Sequence, residues 1–180
     1  HGSISAQGGA NGGDGGLVET SGHNLDVNGV RVNAGATGGR AGTWLLDPSD
    51  ITIVTGTAGL NQIDQATINT GLLTNNVTVE TNSGSGGLGD ITVNSGVVIG
   101  PGTNTNSPIL TLDAARDIKI GDGTGFVRIG GTNTNKLGIT LTATGNIDIK
   151  QAVLETNGAN LTFASTTGNI TLTSSTGNGA

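Results

Sequence analysis

Five times along this chain of 180 residues, a small or polar residue is followed by Asp or Asn and then by Ile-x-apolar. The copies are Ser49-Asp50-Ile51-Thr52-Ile53, Gly89-Asp90-Ile91-Thr92-Val93, Arg116-Asp117-Ile118-Lys119-Ile120, Gly145-Asn146-Ile147-Asp148-Ile149 and Gly168-Asn169-Ile170-Thr171-Leu172. Successive Ile-to-Ile steps are 40, 27, 29 and 23 residues. Each copy alternates apolar and polar residues as a half-buried strand entered from a turn does.

A second short strand stands upstream of most copies. Val77-Thr78-Val79, Leu110-Thr111-Leu112, Ile139-Thr140-Leu141 and Leu161-Thr162-Phe163 fill this role. Residues 102–120 align without gaps to 131–149, with ten of 19 positions identical, including Gly-Thr-Asn-Thr-Asn at the head of each. Periods of this size, with short strands and turn residues between them, indicate a solenoid. Hairpins would show two-residue turns between neighbouring strands, and these gaps are longer. The expected architecture is therefore all-β, a parallel β-helix of about six to eight irregular coils stacked at ~4.8 Å. Its core ladder is expected to comprise Trp44 and the apolar pairs Ile51/Ile53, Val77/Val79, Ile91/Val93, Leu110/Leu112, Ile118/Ile120, Ile139/Leu141, Ile147/Ile149, Leu161/Phe163 and Ile170/Leu172.

Composition enters here. Gly, Thr and Asn make up 81 of the 180 positions, which excludes a helical bundle because all three are poor in helix interiors. The glycines follow no three-residue period, so collagen fails, and the absence of Cys excludes a disulfide scaffold. Disorder would require high net charge and few β-branched residues. The charge is only −6 and the apolar residues are ordered along the chain. Gly and Asn suit coil corners, which need positive φ, and Thr suits outward strand positions.

The chain is read as a single unit, 1–180, with weakly patterned coils over 1–46 and clearer repeats over 47–180. In the first part Leu25-x-Val27 and Val30-x-Val32 alternate around Asn28-Gly29. The variable step lengths are expected to be corner loops. One short helix is expected over 62–73, capped by Asn61, with Ile63, Ala66 and Leu73 on its apolar side and Gly71 near its end.

The run Gly15-Gly16-Leu17-Val18-Glu19-Thr20-Ser21-Gly22 is followed by Gly42-Thr43-Trp44-Leu45-Leu46-Asp47-Pro48 and then Asp50-Ile51-Thr52-Ile53. This order resembles the filamentous haemagglutinin-like exoproteins of Gram-negative bacteria and cyanobacteria, in which a V-E-T-S-G run leads into W-L-L-D-P and then into degenerate coils. The resemblance covers nearly the whole chain. It implies a right-handed parallel β-helix belonging to a secreted or cell-surface adhesin, exported through an outer-membrane two-partner transporter. The implied role is attachment to hosts, surfaces or sister cells and filament or biofilm formation, without catalysis. Related adhesins are glycosylated on Asn-x-Thr sites. The chain begins at His1 with neither initiator Met nor signal peptide, so an internal stretch of a longer polypeptide is expected.

No catalytic, cofactor or metal site is expected. His1 and His23 are too few for a metal site and lack ligand spacing, and nothing marks Ser21 beside His23 as a nucleophile. Asp47 with Asp50, and Asp113 with Asp117, are the carboxylate pairs a β-helix glycosidase or lyase would need, but only Trp44, Phe126 and Phe163 are available as aromatic platforms. Asp47-Pro48 is read as a turn and Trp44 as a core plug rather than a sugar platform. Gly8-Gly9-Ala10-Asn11-Gly12-Gly13-Asp14 resembles a Ca²⁺-binding nonapeptide, with Ala10 replacing a required Gly and no tandem copy. The sequons at Asn76, Asn160 and Asn169 occur at chance frequency. Stacked, the pairs Thr103/Thr105 and Thr132/Thr134 would put four threonines on one surface as ice-binding solenoids do, but they fall in expected loops rather than on a flat ladder of coils, and Asn104/Asn106 with Asn133/Asn135 are read instead as an Asn ladder stiffening the corner. Seven basic residues and a pI near 4.5 argue against nucleic acid and anionic membranes. Three functions therefore stand: an adhesin or filament rod with end-to-end self-association, a carbohydrate-active enzyme, and an ice- or surface-binding solenoid.

Overall fold

A computed structural model describes residues 2–82, 86–103, 106–131 and 135–174. The chain is mostly β, with one short helix. Its elements are β1 (Ser3–Ser5), β2 (Leu17–Gly22), β3 (Arg31–Asn33), β4 (Thr43–Pro48), β5 (Ile51–Val54), β6 (Gln62–Asp64), α1 (Gln65–Leu72), β7 (Asn76–Glu80), β8 (Ile91–Val93) and β9 (Val98–Ile99). They continue with β10 (Ile109–Ala114), β11 (Ile118–Ile120), β12 (Val127–Gly130), β13 (Gly138–Ala143), β14 (Ile147–Lys150), β15 (Ala152–Glu155), β16 (Leu161–Ser165) and β17 (Ile170–Thr173).

The strands form parallel sheets ordered by sequence. The first sheet runs β2-β4-β7-β10-β13-β16, the second β6-β5-β8-β11-β14-β17 and the third β9-β12-β15, with β1 paired to β3 apart from them. From β7 onward the chain visits the first, second and third sheets in turn and then returns to the first, so each pass lays one strand beside the corresponding strand of the pass before. Among the described residues the one antiparallel pairing is an isolated bridge between Gly9 and Gly12.

Register follows from the alternation. Trp44, Val77, Leu110, Ile139 and Leu161 stand in one column of the first sheet, and Leu46, Val79, Leu112, Leu141 and Phe163 in the next inward one. In the second sheet the columns are Ile51-Ile91-Ile118-Ile147-Ile170 and Ile53-Val93-Ile120-Ile149-Leu172. A one-residue slip would turn each column outward. Full burial of each such side chain contributes about 1.5–3 kcal/mol, so the columns fix the stacking.

The ladder is not buried to its end. Trp44 and the expected pairs from Ile51/Ile53 through Ile147/Ile149 are buried, but Leu161, Ile170 and Leu172 are 44%, 42% and 67% exposed and Phe163 is half-buried. These residues keep the register of the column, and among the described residues no further strand lies against them.

The 40-residue step contains more than a corner loop. After β5 the chain swings out through 55–61 and returns to lay β6 on the side of β5 away from β8. It then forms α1 before joining the first sheet at β7. The helix begins three residues later than its sequence pattern indicates. Asp64, not Asn61, is its N-cap, accepting from the backbone N–H groups of Ala66 and Thr67. Asn61 instead adopts φ 54, and its Oδ1 accepts Leu25 N–H at 2.8 Å. The buried helical residues are Thr67, Ile68, Gly71 and Leu72, whereas Ala66 and Leu73 are exposed and Ile63 is buried within β6. Asp47-Pro48 ends strand β4 and is not a turn; there the missing proline N–H costs the ladder at its last residue only.

Candidate functional site

The Asp or Asn before the first four repeat isoleucines shares one structural task, holding the backbone N–H of its counterpart on the next pass. Asp50 Oδ1 accepts Asp90 N–H at 2.7 Å, Asp90 Oδ1 accepts Asp117 N–H at 3.3 Å, Asp117 Oδ1 accepts Asn146 N–H at 2.7 Å and Asn146 Oδ1 accepts Asn169 N–H at 3.0 Å. The backbone answers in the other direction. Asp90, Asp117, Asn146 and Asn169 each offer a carbonyl to the Ile N–H of the preceding pass, at 2.9–3.1 Å. A short acceptor at this position satisfies donors that the corner would otherwise leave unpaired. Asp and Asn supply that acceptor equally well, which explains their interchange.

Asp90 carries the ladder's charge. It accepts from Arg116 Nε at 2.6 Å, from Arg116 Nη2 and from Lys119 Nζ at 3.0 Å. Burial pushes its carboxyl upward, but hydrogen bonds and charge from Arg116 and Lys119 outweigh that and hold it down at about 2. The sequence reading missed this clamp, although Arg116 follows Asp90 by 26 residues, close to one local repeat. Asp122 forms a smaller knot: it accepts from Ser95 Oγ at 2.6 Å and from Thr124 N–H and Oγ1, both at 2.7 Å. These bonds lower its carboxyl below the usual range.

A different acidic group lies on the outer face of the first sheet. Asp113 pairs in register with Glu80, and Asp47 follows Leu46, the partner of Val79. Three carboxylates thus stand on adjacent strands. Burial, then repulsion from Asp113, Asp47 and Glu19, raises the Glu80 carboxyl, and burial raises that of Asp113. Among the described residues no group of three or more His, Asp or Glu is placed to hold a metal ion.

The remaining candidates are engaged by their own chain. Asp47 accepts from Asn82 Nδ2 at 2.8 Å, Asp50 also accepts Leu88 N–H, and Asp117 is spent on the ladder. His23 Nδ1 lies 3.0 Å from Ser49 Oγ, and that Ser49 is buried. Asp14, the carboxylate of the glycine-rich run, accepts Arg40 N–H at 2.8 Å. Trp44 is fully buried and its Nε1 donates to Thr20 Oγ1 at 3.0 Å. His1 lies outside the described residues, as do Thr105, Asn104, Thr132, Asn133 and Thr134, and with them most of the proposed Thr pairs and Asn stack. A regular Thr column occurs elsewhere, at Thr78, Thr111, Thr140 and Thr162 of the first sheet.

Side-chain amides close the strand edges facing the N-terminal passes. Gln65 Oε1 accepts Val98 N–H at 2.6 Å, Asn69 Nδ2 donates to Val98 O at 3.1 Å and Asn69 Oδ1 accepts Gly100 N–H at 2.9 Å. Helix α1 therefore ends the third sheet at β9 with amides in place of a strand. Asn28 does the same for β6, donating to Gln62 O and accepting Asp64 N–H. On β3 the capped edge is the opposite one, away from β1, where Asn75 donates to Val32 O and accepts Ala34 N–H. Neither a protein-family model nor a curated protein matches the chain.

Proposed function

We propose that this chain is a right-handed parallel β-helix of about six to eight coils, forming the structural rod of a secreted adhesin or extracellular filament. In this reading it is non-catalytic, is exported through an outer-membrane two-partner transporter and acts at the surface of a Gram-negative bacterium or cyanobacterium in attachment and biofilm formation. The carrying observation is how the distinctive residues are employed. Val18 and Trp44 of the V-E-T-S-G and W-L-L-D-P runs pack side by side in register, and the Asp or Asn of the first four copies of the repeat holds the next pass. Residues that set the sequence apart are spent on joining one pass to the next, as a load-carrying rod requires.

Display of the chain on a non-adherent laboratory bacterium tests the function. Raised retention on glass or cultured cells is expected. Retention equal to that of the empty display vector contradicts the reading, as does release of reducing sugar from polysaccharides by the purified chain.

A further inference from the structure

Four Asn-Gly pairs occur in the chain: Asn11-Gly12, Asn28-Gly29, Asn157-Gly158 and, outside the described residues, Asn178-Gly179. The pair is chemically labile, because a glycine has no side chain to hinder the approach of its nitrogen to the asparagine amide carbon. The fold treats the three described pairs differently. Asn28 is clamped: its Nδ2 donates to Asp26 Oδ1 and Gln62 O, its Oδ1 accepts Asp64 N–H, and Gly29 N–H donates to Thr67 Oγ1 at 2.9 Å. Gly12 N–H donates to Gly9 O at 3.1 Å. Gly158 N–H, by contrast, has no acceptor among the described residues. Gly158 is exposed, and a Cβ placed there would meet nothing within 4 Å. Asn157 and Gly158, at φ 50 and 87, form the centre of a tight turn closed by Ala159 N–H to Thr156 O at 3.1 Å.

We infer that Asn157-Gly158 is a site of spontaneous deamidation in the folded protein, and that the reaction cuts a tie between passes. The deprotonated Gly158 nitrogen attacks Asn157 Cγ, the Cγ–Nδ2 bond breaks and ammonia leaves, giving a succinimide. Water then opens the ring to aspartate, or to isoaspartate, whose main chain runs through Cγ. The group lost is the one that joins two passes. Asn157 Nδ2 donates to Asn135 O at 2.9 Å, and Asn135 Nδ2 in turn donates to Gly102 O. A carboxylate oxygen has no proton to donate, so it meets the Asn135 carbonyl as one acceptor against another. Isoaspartate also lengthens the backbone of the turn whose Thr156 O accepts Leu137 N–H at 3.3 Å. Age therefore loosens one corner of the stack and adds negative charge there, whereas Asn28, which caps β6, is kept intact.

Incubation of the 180-residue chain at mildly alkaline pH, folded and in urea, tests this by peptide mass spectrometry that locates each new acid. In the folded chain, acid is expected to accumulate faster at Asn157 than at Asn11, and about tenfold or more slowly at Asn28, which must wait for local opening. In urea the three sites should react at similar rates. Hydrogen exchange at the Leu137 amide is expected to be faster in Asn157→Asp than in the unmodified chain, with exchange at Ile118 unchanged. An Asn157 that stays intact in the folded chain overturns the proposal, as does an Asn11 or Asn28 that reacts as fast. The same ranking in urea would assign it to local sequence rather than to the fold and equally overturn it. Unchanged Leu137 exchange in Asn157→Asp would overturn the severed tie.

Discussion

Asp117 Oδ1 accepts the backbone N–H of Asn146 at 2.7 Å, joining residues 29 positions apart. The relationship is one rung of a ladder in which the residue before each repeat isoleucine holds its counterpart on the next pass. Removing the acceptor leaves a part-buried N–H unpaired, whereas an amide keeps it. Asp117→Ala is therefore expected to cost about 1–2 kcal/mol in urea unfolding, and Asp117→Asn less than half as much. Equal losses in the two variants would mean that charge, not the hydrogen bond, is what counts.

Asp90 ties its stability to pH in the usual carboxylate direction. Its folded carboxyl lies at about 2, below the ordinary 3.8. The contribution is complete above the unfolded value and is lost as pH falls through about 2. At neutral pH Asp90→Asn is expected to lower stability by roughly 1–2 kcal/mol. Thermal melts of the two proteins should converge only near the bottom of that window.

Glu80 works in the opposite sense. Burial and then its neighbours Asp113, Asp47 and Glu19 raise its carboxyl above the ordinary value, so the charged form strains the fold and protonation relieves it. Glu80→Gln should melt higher than the natural chain at pH 7. That advantage should shrink as pH falls through the raised folded value and be gone only below the ordinary unfolded one. A lower melting temperature for Glu80→Gln at pH 7 would contradict the repulsive column.

Gly71 sits in α1 against Trp44, and a Cβ there would approach the ring carbon Cε3 to 2.9 Å and Val77 Cγ2 to 3.1 Å. Alanine normally favours a helix over glycine by about 1 kcal/mol. Overpacking a filled core costs about 1–3 kcal/mol, and the contact partner is a buried aromatic ring with little freedom to shift. Gly71→Ala is expected to destabilise, and the loss should shrink in a Trp44→Phe background. Additive losses would show that the ring is not the obstacle.

The helix also guards a strand edge. Asn69→Leu should leave the helix largely intact while speeding hydrogen exchange at the Gly100 amide, whose acceptor is Asn69 Oδ1. Exchange at Ile118, whose N–H is held by Asn146 O at 2.9 Å, should not change.

The inward columns were legible because alternation is local: Ile-x-Ile announces a strand face within three residues. Position before the isoleucine was visible as a pattern, but its purpose was not, since its donor lies 23 to 40 residues away. The amide caps of Asn28, Gln65 and Asn69 left no trace in the sequence for the same reason; each bridges about thirty residues or more without a repeat to mark it. Asn61 was a reasonable cap by residue type, yet the three residues after it were claimed by β6, which moved the helix start to Asp64. Leu161, Ile170 and Leu172 carry the same local pattern as their buried counterparts, and only the neighbouring strand decides exposure.

The central claim is that successive passes lie parallel and in register. The chain has no cysteine, so spin labels can be placed at will. Glu19, Leu45, Thr78, Thr111, Thr140 and Thr162 share one outward column. Dipolar electron spin resonance between labels at 19 and 140, and at 19 and 162, is expected to give backbone separations of about 19 and 24 Å, one strand spacing apart. Equal distances for the two pairs, or a spread with no defined maximum, would contradict the stacked arrangement.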